Sequence, residues 1–436
     1  MFIWVGIDDT DSRKGGCTTY TATLIVKKLV DNGFDIIGFP RLVRLNPNIP
    51  WKTRGNGAIS LKVGKGEGKK TKIGVIEEKD IFCYDNLSEE SDISKINRIV
   101  VDVVEEVARL DDENTNSGIV ILEEKIDYDE YLKAVRKVVR IDETKKVLSK
   151  KNAFFKGYKN MRGLIGATAS IAWNNQKDRT FELIAYREKQ KWGSERFVDN
   201  KSTVEVDSSF PSTFDNFDSK NKHNRLVPSS PCPVLFGIRG DISNDLIKAK
   251  SMIKSEKINC WLIFESNQGT DDHLENKRIS EVSPYHSVII KGKVSKNPYT
   301  IEGGHVIFSI KDETGEIDCA AYEPTKQFRE IIRALIVGDE VEVYGGVREE
   351  PLTVNLEKIR TINLKEEFVK VENPVCPSCG KHMKSIGSKQ GYRCKKCGTK
   401  NKEPEIVKKA RKLEKKIYEV PVCARRHLSK PLKRMK

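Results

Sequence analysis

The sequence predicts a multidomain α+β protein of four units, and three observations predict it. A chain of 436 residues is longer than one hydrophobic core can serve. Its apolar periodicity changes along the chain, from strands alternating with helices over 1–150, to short mixed runs over 151–280, to five strands and one helix over 281–365. Two Cys-x-x-Cys pairs then mark a last unit, 366–436.

The first unit opens with a buried strand over 2–7, a turn rich in carboxylate and glycine (IDDTDSRKGG), and a helix from Thr18 that Asn32-Gly33 ends. A strand at 36–39, a helix from about 91 to 110 and a strand at 119–122 continue an α/β order. VGKGEGKKTKIG lacks the phosphate-loop spacing and reads as a solvated hairpin tip. The second unit has apolar runs at 163–173, 181–186, 234–238 and 260–264, separated by polar stretches such as 199–224. In the third, strands at 286–294, 305–311, 316–322, 340–344 and 353–359, with a helix at 325–335 after the third, match the OB-fold, a small barrel that often binds single-stranded nucleic acid.

Lys and Arg total 78 against 63 Asp and Glu, a net charge of +15, which favours a polyanionic partner. Residues 401–436 hold 13 Lys/Arg and only 4 Glu, so the tail reads as a basic arm. No stretch approaches the ~20 apolar residues of a membrane helix. The N-terminus has no basic, apolar leader and the ten cysteines suggest no disulfide framework, so a cytoplasmic protein is expected.

Four places can carry chemistry. Cys376, Cys379, Cys394 and Cys397 form two knuckles separated by fourteen residues, the spacing of a closed structural Zn²⁺ site. Asp8, Asp9 and Asp11 lie where a strand ends, and their mutual repulsion asks for a cation such as Mg²⁺ with a nucleotide phosphate. Gly16, Thr18 and Thr19 follow at a helix start, whose free N–H groups suit an anion, although a Thr-capped polar turn would look the same. Lys52, Arg54, Gly55 and Asn56 could approach phosphate oxygens, or form a surface turn. Asp111, Asp112 and Glu113 make a second acidic cluster, for a metal or a cationic substrate.

The strings VGIDDTDS, GCTTY, IGFPRLVRLNPNIPWKTRGNGA, LDDENTNSG, PCPVLFGIRGD, YEPTKQFR, YRCKKCGTK and CARRHLSKPL run in one order through nearly the whole chain. Together they resemble the archaeal tRNA(Ile) 2-agmatinylcytidine synthetases. The resemblance implies an ATP-binding kinase-like catalytic domain over 1–150, a ferredoxin-like domain over 151–280, an OB-fold RNA-binding domain over 281–365, and a zinc ribbon with basic tail over 366–436. It implies an ATP-dependent ligase that attaches agmatine to C2 of the wobble cytidine of the CAU anticodon of tRNA(Ile), through phosphorylation of the C2 oxygen, so that AUA is read in place of AUG. It places an autophosphorylated threonine on Thr18 and the family's acidic residues on Asp8, Asp9 and Asp11. Agmatine is dicationic, which points to Asp112 with Asp111 or Glu113. Lys326, Arg329, Arg425, Arg426 and His427 are the expected tRNA contacts. A non-catalytic single-strand binder and another ATP-dependent RNA-modifying ligase are the rival readings; dependence of ATP hydrolysis on Asp9, and incorporation of agmatine, separate them.

Overall fold

One eleven-stranded sheet runs through the first two expected units. In the computed structural model, which describes residues 3–89, 92–387, 390–401 and 405–435, its strands begin with β1 (Ile3–Asp8), β2 (Asp35–Ile37), β3 (Arg41–Arg44), β4 (Gly57–Ile76) and β5 (Lys79–Glu89). β6 (Gly118–Leu122), β7 (Phe154–Gly157), β8 (Thr180–Arg187) and β9 (Thr213–Phe214) follow. After a separate small pair, β10 (Phe217–Asp218) and β11 (His223–Asn224), come β12 (Val234–Gly240) and β13 (Ile258–Ser266). Positions 2, 91, 402 and 436, which bound the expected first strand, second helix and tail, lie outside the described residues.

The expected alternation of strands with helices is broken, since β2 to β5 follow one another without a helix; β1 pairs antiparallel with both β4 and β6, and β3 antiparallel with β4. The two units are joined by β13, which pairs parallel with β3 and antiparallel with β4 and β8. Both faces of the centre are covered, so the strands read as unbroken apolar runs. In β1, Ile3, Val5 and Ile7 enter one core with Ile25 and Leu29 of α1 (Thr18–Asp31) and Val100 of α2 (Ile93–Val107). Trp4 faces the other way, into a core with Tyr131 of α3 (Tyr128–Arg136), Leu148 of α4 (Ile141–Lys150) and Leu164 of α5 (Gly163–Ala172). Asp92 starts α2 by accepting from the Ser94 and Lys95 amides at 2.9 and 3.2 Å. Helices α6 (Asn200–Ser209) and α7 (Ser243–Met252) cover the second unit, where Val206 and Leu246 pack with Leu183 and Ile263.

The Gly/Lys stretch expected as a hairpin tip is instead the middle of β4. The chain turns at Glu77 and Glu78, both with positive φ, and the β4–β5 ladder absorbs three bulges between Lys65 and Gly74. The glycines serve close approach: a Cβ on Gly66 would overlap the Tyr84 ring. Composition that looks like a turn is here composition for a bulged strand.

The third unit follows β14 (Glu275–Asn276). Its strands are β15 (Ser287–Thr300), β16 (Val306–Lys311), β17 (Glu316–Ala321), β18 (Glu340–Arg348) and β19 (Thr353–Asn363), with α8 (Phe328–Arg333) between the third and fourth. The pairings β15–β16, β16–β17, β17–β19, β19–β18 and β18–β15 close a ring, the OB barrel, around Phe308, Val343 and Ile359. Beyond it, β20 (Glu367–Glu372) pairs with β24 (Glu405–Lys409) and encloses a three-stranded ribbon of β21 (Lys384–Ser385), β22 (Tyr392–Arg393) and β23 (Lys400–Asn401).

The tail is not a free basic arm. β25 (Ile417–Glu419) adds to β19, and Leu428 is buried in the N-terminal core with Trp4 and Tyr131. Among the described residues no helix is long and apolar enough to cross a membrane.

Candidate functional site

A cavity of about 750 Å³ opens between the carboxyl end of β1, the N-terminus of α1, the loop at 45–57 and the second unit. Asp8, Asp9 and Asp11 line it. Asp8 ends β1, and its carboxylate occupies space that a side chain on Gly166 of α5 would fill. Burial pushes the Asp8 carboxyl well above the usual carboxylate range, and the charges of Asp9 and Asp11 add to this. Asp9 sits in the left-handed region at φ 54°. Its carboxylate accepts from Thr53 Oγ1 at 3.1 Å and from the Asn116 amide at 2.9 Å, while its carbonyl accepts from Ser117 Oγ at 2.7 Å. Burial raises Asp9 too, against those hydrogen bonds. Asp11 is pushed up to about 6 by burial, opposed by Arg54 at 3.4 Å.

Thr18 and Thr19 form the first turn of α1 and face the same cavity. Thr18 Oγ1 accepts from Thr10 Oγ1 at 3.3 Å, and no side chain caps the helix, which leaves its first N–H groups available. Lys52, Arg54, Gly55 and Asn56 line the facing wall. Arg54, expected at phosphate, donates to the carbonyls of Ser12, Gly15 and Gly16 at 2.5–3.1 Å and so fixes the acidic loop. Gly16 touches the site only through that carbonyl and is not among the lining residues. Asn56, at φ 48°, donates to the Asn46 carbonyl at 2.8 Å and shapes its own loop. Lys52 donates to the Ile49 carbonyl at 3.0 Å, and burial followed by the Arg426 charge holds it below the usual lysine range. The residues missed in sequence are Thr53, Asn116, Ser117 and Arg162: single polar residues that only the fold gathers around Asp9.

Of the second acidic cluster only Glu113 lines the cavity. Asp111 is exposed beside Arg109 at 3.6 Å, and the Asp112 carboxylate is taken up by its own turn, accepting from the Asn114 amide at 3.0 Å. The expected RNA contacts also divide. Lys326 pairs with Glu323 at 2.8 Å, and Arg329 donates to the Gly304 carbonyl at 2.5 Å, bracing the barrel. Arg425 is buried between Asp215 and Glu419, so it is not open to phosphate. Arg426 bridges Asn48 of the first unit and Glu357 of the barrel. His427 lines the cavity itself, and burial with the charges of Arg44, Arg239 and Arg225 holds its imidazole well below the usual histidine range, neutral.

In the ribbon, Cys376, Cys379, Cys394 and Cys397 have sulfurs within 4.8 Å of one another, with neighbouring pairs at 3.3, 3.4 and 3.7 Å. A tetrahedron of metal–sulfur bonds of about 2.3 Å has edges of about 3.8 Å, so the thiols fit zinc. His382 turns away, to the Asn373 carbonyl at 3.3 Å. These cysteines are the one such group among the described residues; Asp8, Asp9 and Asp11 are not drawn together as three ligands.

Family models match along the chain: the TiaS TCKD domain at 4–160, the TiaS FLD domain at 161–273, an OB-fold nucleic acid binding domain at 288–362 and the TiaS C-terminal zinc ribbon domain at 373–413. The tRNA(Ile) 2-agmatinylcytidine synthetase TiaS of Methanocaldococcus jannaschii is 44% identical over 443 residues, covering 99% of this chain and 98% of that protein. The enzyme of the same name from Archaeoglobus fulgidus is 44% identical over 440 residues, covering 100% and 98%. Among solved structures, a complex of TiaS with tRNA(Ile) and ATP matches with a TM-score of 0.87 at 43% identity, and a complex of TiaS with tRNA(Ile), AMPCPP and agmatine with 0.84 at 41%; each match covers 100% of this chain and 98% of the other. With relatives this similar over nearly its whole length, and the same modules in the same order, the chain belongs to the tRNA(Ile) 2-agmatinylcytidine synthetase family.

Proposed function

We propose that this protein catalyses the ATP-dependent attachment of agmatine to C2 of the wobble cytidine in the CAU anticodon of tRNA(Ile), so that the tRNA reads AUA. One observation carries the reading: the chain matches, end to end, an enzyme solved with tRNA(Ile), an ATP analogue and agmatine together. The cavity is consistent with it, because it joins carboxylates, an uncapped helix N-terminus and a threonine hydroxyl on one side with cationic residues on the other. A non-catalytic RNA binder would have no use for these groups.

Within this reading, divisions at residues 150, 280 and 365 separate a catalytic half from an RNA-gripping half. Asp8 and Asp9 would hold Mg²⁺, since that ion is commonly kept by one or two carboxylates with substrate phosphates completing the shell. When bound it supplies positive charge to the phosphates. Asp11 and Arg54 keep the loop in shape, and Thr18 is the hydroxyl placed to accept a phosphoryl group. The C2 oxygen of cytosine leaves poorly as it stands; once phosphorylated it departs as phosphate when the amine forms its bond to C2. Glu113 faces the cavity and would neutralise one end of agmatine. Zinc in the four-thiolate ribbon leaves no open coordination position and serves structure. Exposed lysines of the ribbon, Lys381, Lys395 and Lys396, together with Lys326, would meet RNA phosphates. The work is cytoplasmic, where charged pools of ATP and tRNA are found. Mass spectrometry of tRNA(Ile) bearing the CAU anticodon, incubated with ATP, agmatine and the protein, should show a gain of one agmatine less one water at the wobble cytidine. No gain from folded protein refutes the activity.

A further inference from the structure

The wall of the cavity opposite the carboxylates carries more positive charge than its own residues balance. Arg44, Arg225 and Arg239 converge there with the ring of His427. Among the described residues Glu182 is the one carboxylate paired with Arg44 and Arg239: its Oε1 accepts from Arg239 Nε at 3.2 Å, and its Oε2 is shared between Arg44 Nη2 at 3.5 Å and Gln268 Nε2 at 2.5 Å. Among the described residues nothing hydrogen-bonds or ion-pairs with the Arg225 guanidinium; Asp215 and Asp218 act on it only at a distance, and Asp215 is already paired with Arg425. Arg44 Nε, Arg225 Nε and His427 Nδ1 are all buried without a partner. A guanidinium cannot lose its proton to escape burial, and it has no acceptor to offer a neighbour. Two of them on one carboxylate, with Arg225 near enough to Arg239 to feel its charge, therefore leave charge that an entering anion would satisfy.

We propose that Arg44, Arg225, Arg239 and His427 form a phosphate subsite of the reaction cavity, an assignment that rests on the reading of this cavity as the catalytic site. Agmatine, a dication, is excluded from it by charge. Phosphate suits it, because guanidinium forks pair bidentately with phosphate oxygens and the neutral imidazole adds a hydrogen-bonding group without further repulsion. The subsite is fixed to the acidic side through Gly55, which lies against both the Arg44 guanidinium and the His427 ring, and Arg44 is close enough to act on Asp11. The phosphate can come from the ATP polyphosphate or from a phosphodiester of the RNA beside the target cytidine.

The test uses the full chain without turnover, so it does not depend on the activity reading. Inorganic pyrophosphate and ATP are titrated against thermal midpoint, for the wild type and Arg225→Gln. Separately, an anticodon stem–loop RNA is compared with one carrying a neutral methylphosphonate beside the target cytidine. If ATP supplies the phosphate, R225Q weakens pyrophosphate and ATP about tenfold while the apo midpoint stays level or rises, because an unbalanced buried charge has gone. If RNA supplies it, pyrophosphate and ATP are unaffected; the methylphosphonate weakens wild type about tenfold and R225Q hardly at all. Should R225Q fail to fold, Arg225→Lys, which keeps the charge and loses the fork, replaces it with the same direction of change in affinity and no expected rise in the apo midpoint. If residue 225 changes neither the affinity for pyrophosphate and ATP nor the effect of the methylphosphonate on RNA binding, any pyrophosphate bound is an adventitious ion only and the subsite is refuted.

Discussion

The loop after β1 and the segment after β25 come from opposite ends of the chain and meet at one cavity, but they are stabilised in opposite ways. The loop holds like charges close together: Asp8, Asp9 and Asp11 are half-buried, raised in pKa and only partly offset by Arg54. The C-terminal segment holds its charges in pairs: Arg425 with Asp215 and Glu419, Lys430 and Arg434 with Asp178, Arg434 with Asp241. Unbalanced burial marks a place waiting for a substrate, whereas balanced burial marks a seam.

Breaking the loop should cost chemistry and little stability. Asp9→Asn keeps a residue that tolerates a left-handed backbone and should lower ATP hydrolysis and agmatine incorporation roughly 1000-fold or more. Its thermal midpoint should match wild type; a large loss of stability with activity per folded molecule intact would make the loop a mere turn. Breaking the seam should do the reverse. Arg425→Ala strands the Asp215 carboxylate and the half-buried Glu419, and should cost about 3–5 kcal/mol in urea unfolding. A cost under about 1 kcal/mol, with a flattened salt dependence of RNA binding, would restore the picture of a basic arm.

The seam also predicts a response to acid. Glu357 of the barrel is raised by burial, but His273 at 3.1 Å, then Arg426 and Lys358, outweigh this and bring it down to about 2. A carboxyl lowered in the folded state contributes stability above its unfolded pKa of 4.5, and that contribution is lost as pH falls towards about 2. Unfolding of Glu357→Gln should therefore be flatter than wild type between those pH values, by about 3 kcal/mol at most. Equal slopes would remove Glu357 as the acid-sensitive link. The ribbon should respond locally: Cys394→Ser should lose zinc by elemental analysis and bind tRNA about tenfold more weakly, with ATP affinity retained. The smallest effect is expected at the acidic cluster, where Glu113→Gln should raise the KM for agmatine and Asp112→Asn should leave it within about twofold, since surface changes away from a site matter little.

Part of this was legible along the chain because the signals are local. Three carboxylates in four residues, two cysteine knuckles and the alternation of the barrel strands need no distant partner to be read. The cavity's other wall was hidden because Arg44, Arg225, Arg239 and His427 come from four separate segments. Arg425 looked like an arm residue for the same reason: Asp215, which balances it, is remote in sequence. The shared sheet was equally invisible, since nothing in β3 or β13 alone specifies that Arg41 and Leu42 lie beside Glu265 and Ser266. The bulged β4 misled through composition, because glycine and lysine serve bulges as well as tips.

Leu428 packs beside Trp4, and this has a consequence for the order in which the protein is made. The core around Trp4 and Tyr131 cannot be finished while the ribosome is still translating the segment that fills it. An N-terminal half that has emerged and collapsed still lacks Leu428, and the cavity still lacks His427. Message damage or a premature stop anywhere upstream would thus release a chain with an open core and an unfinished cavity.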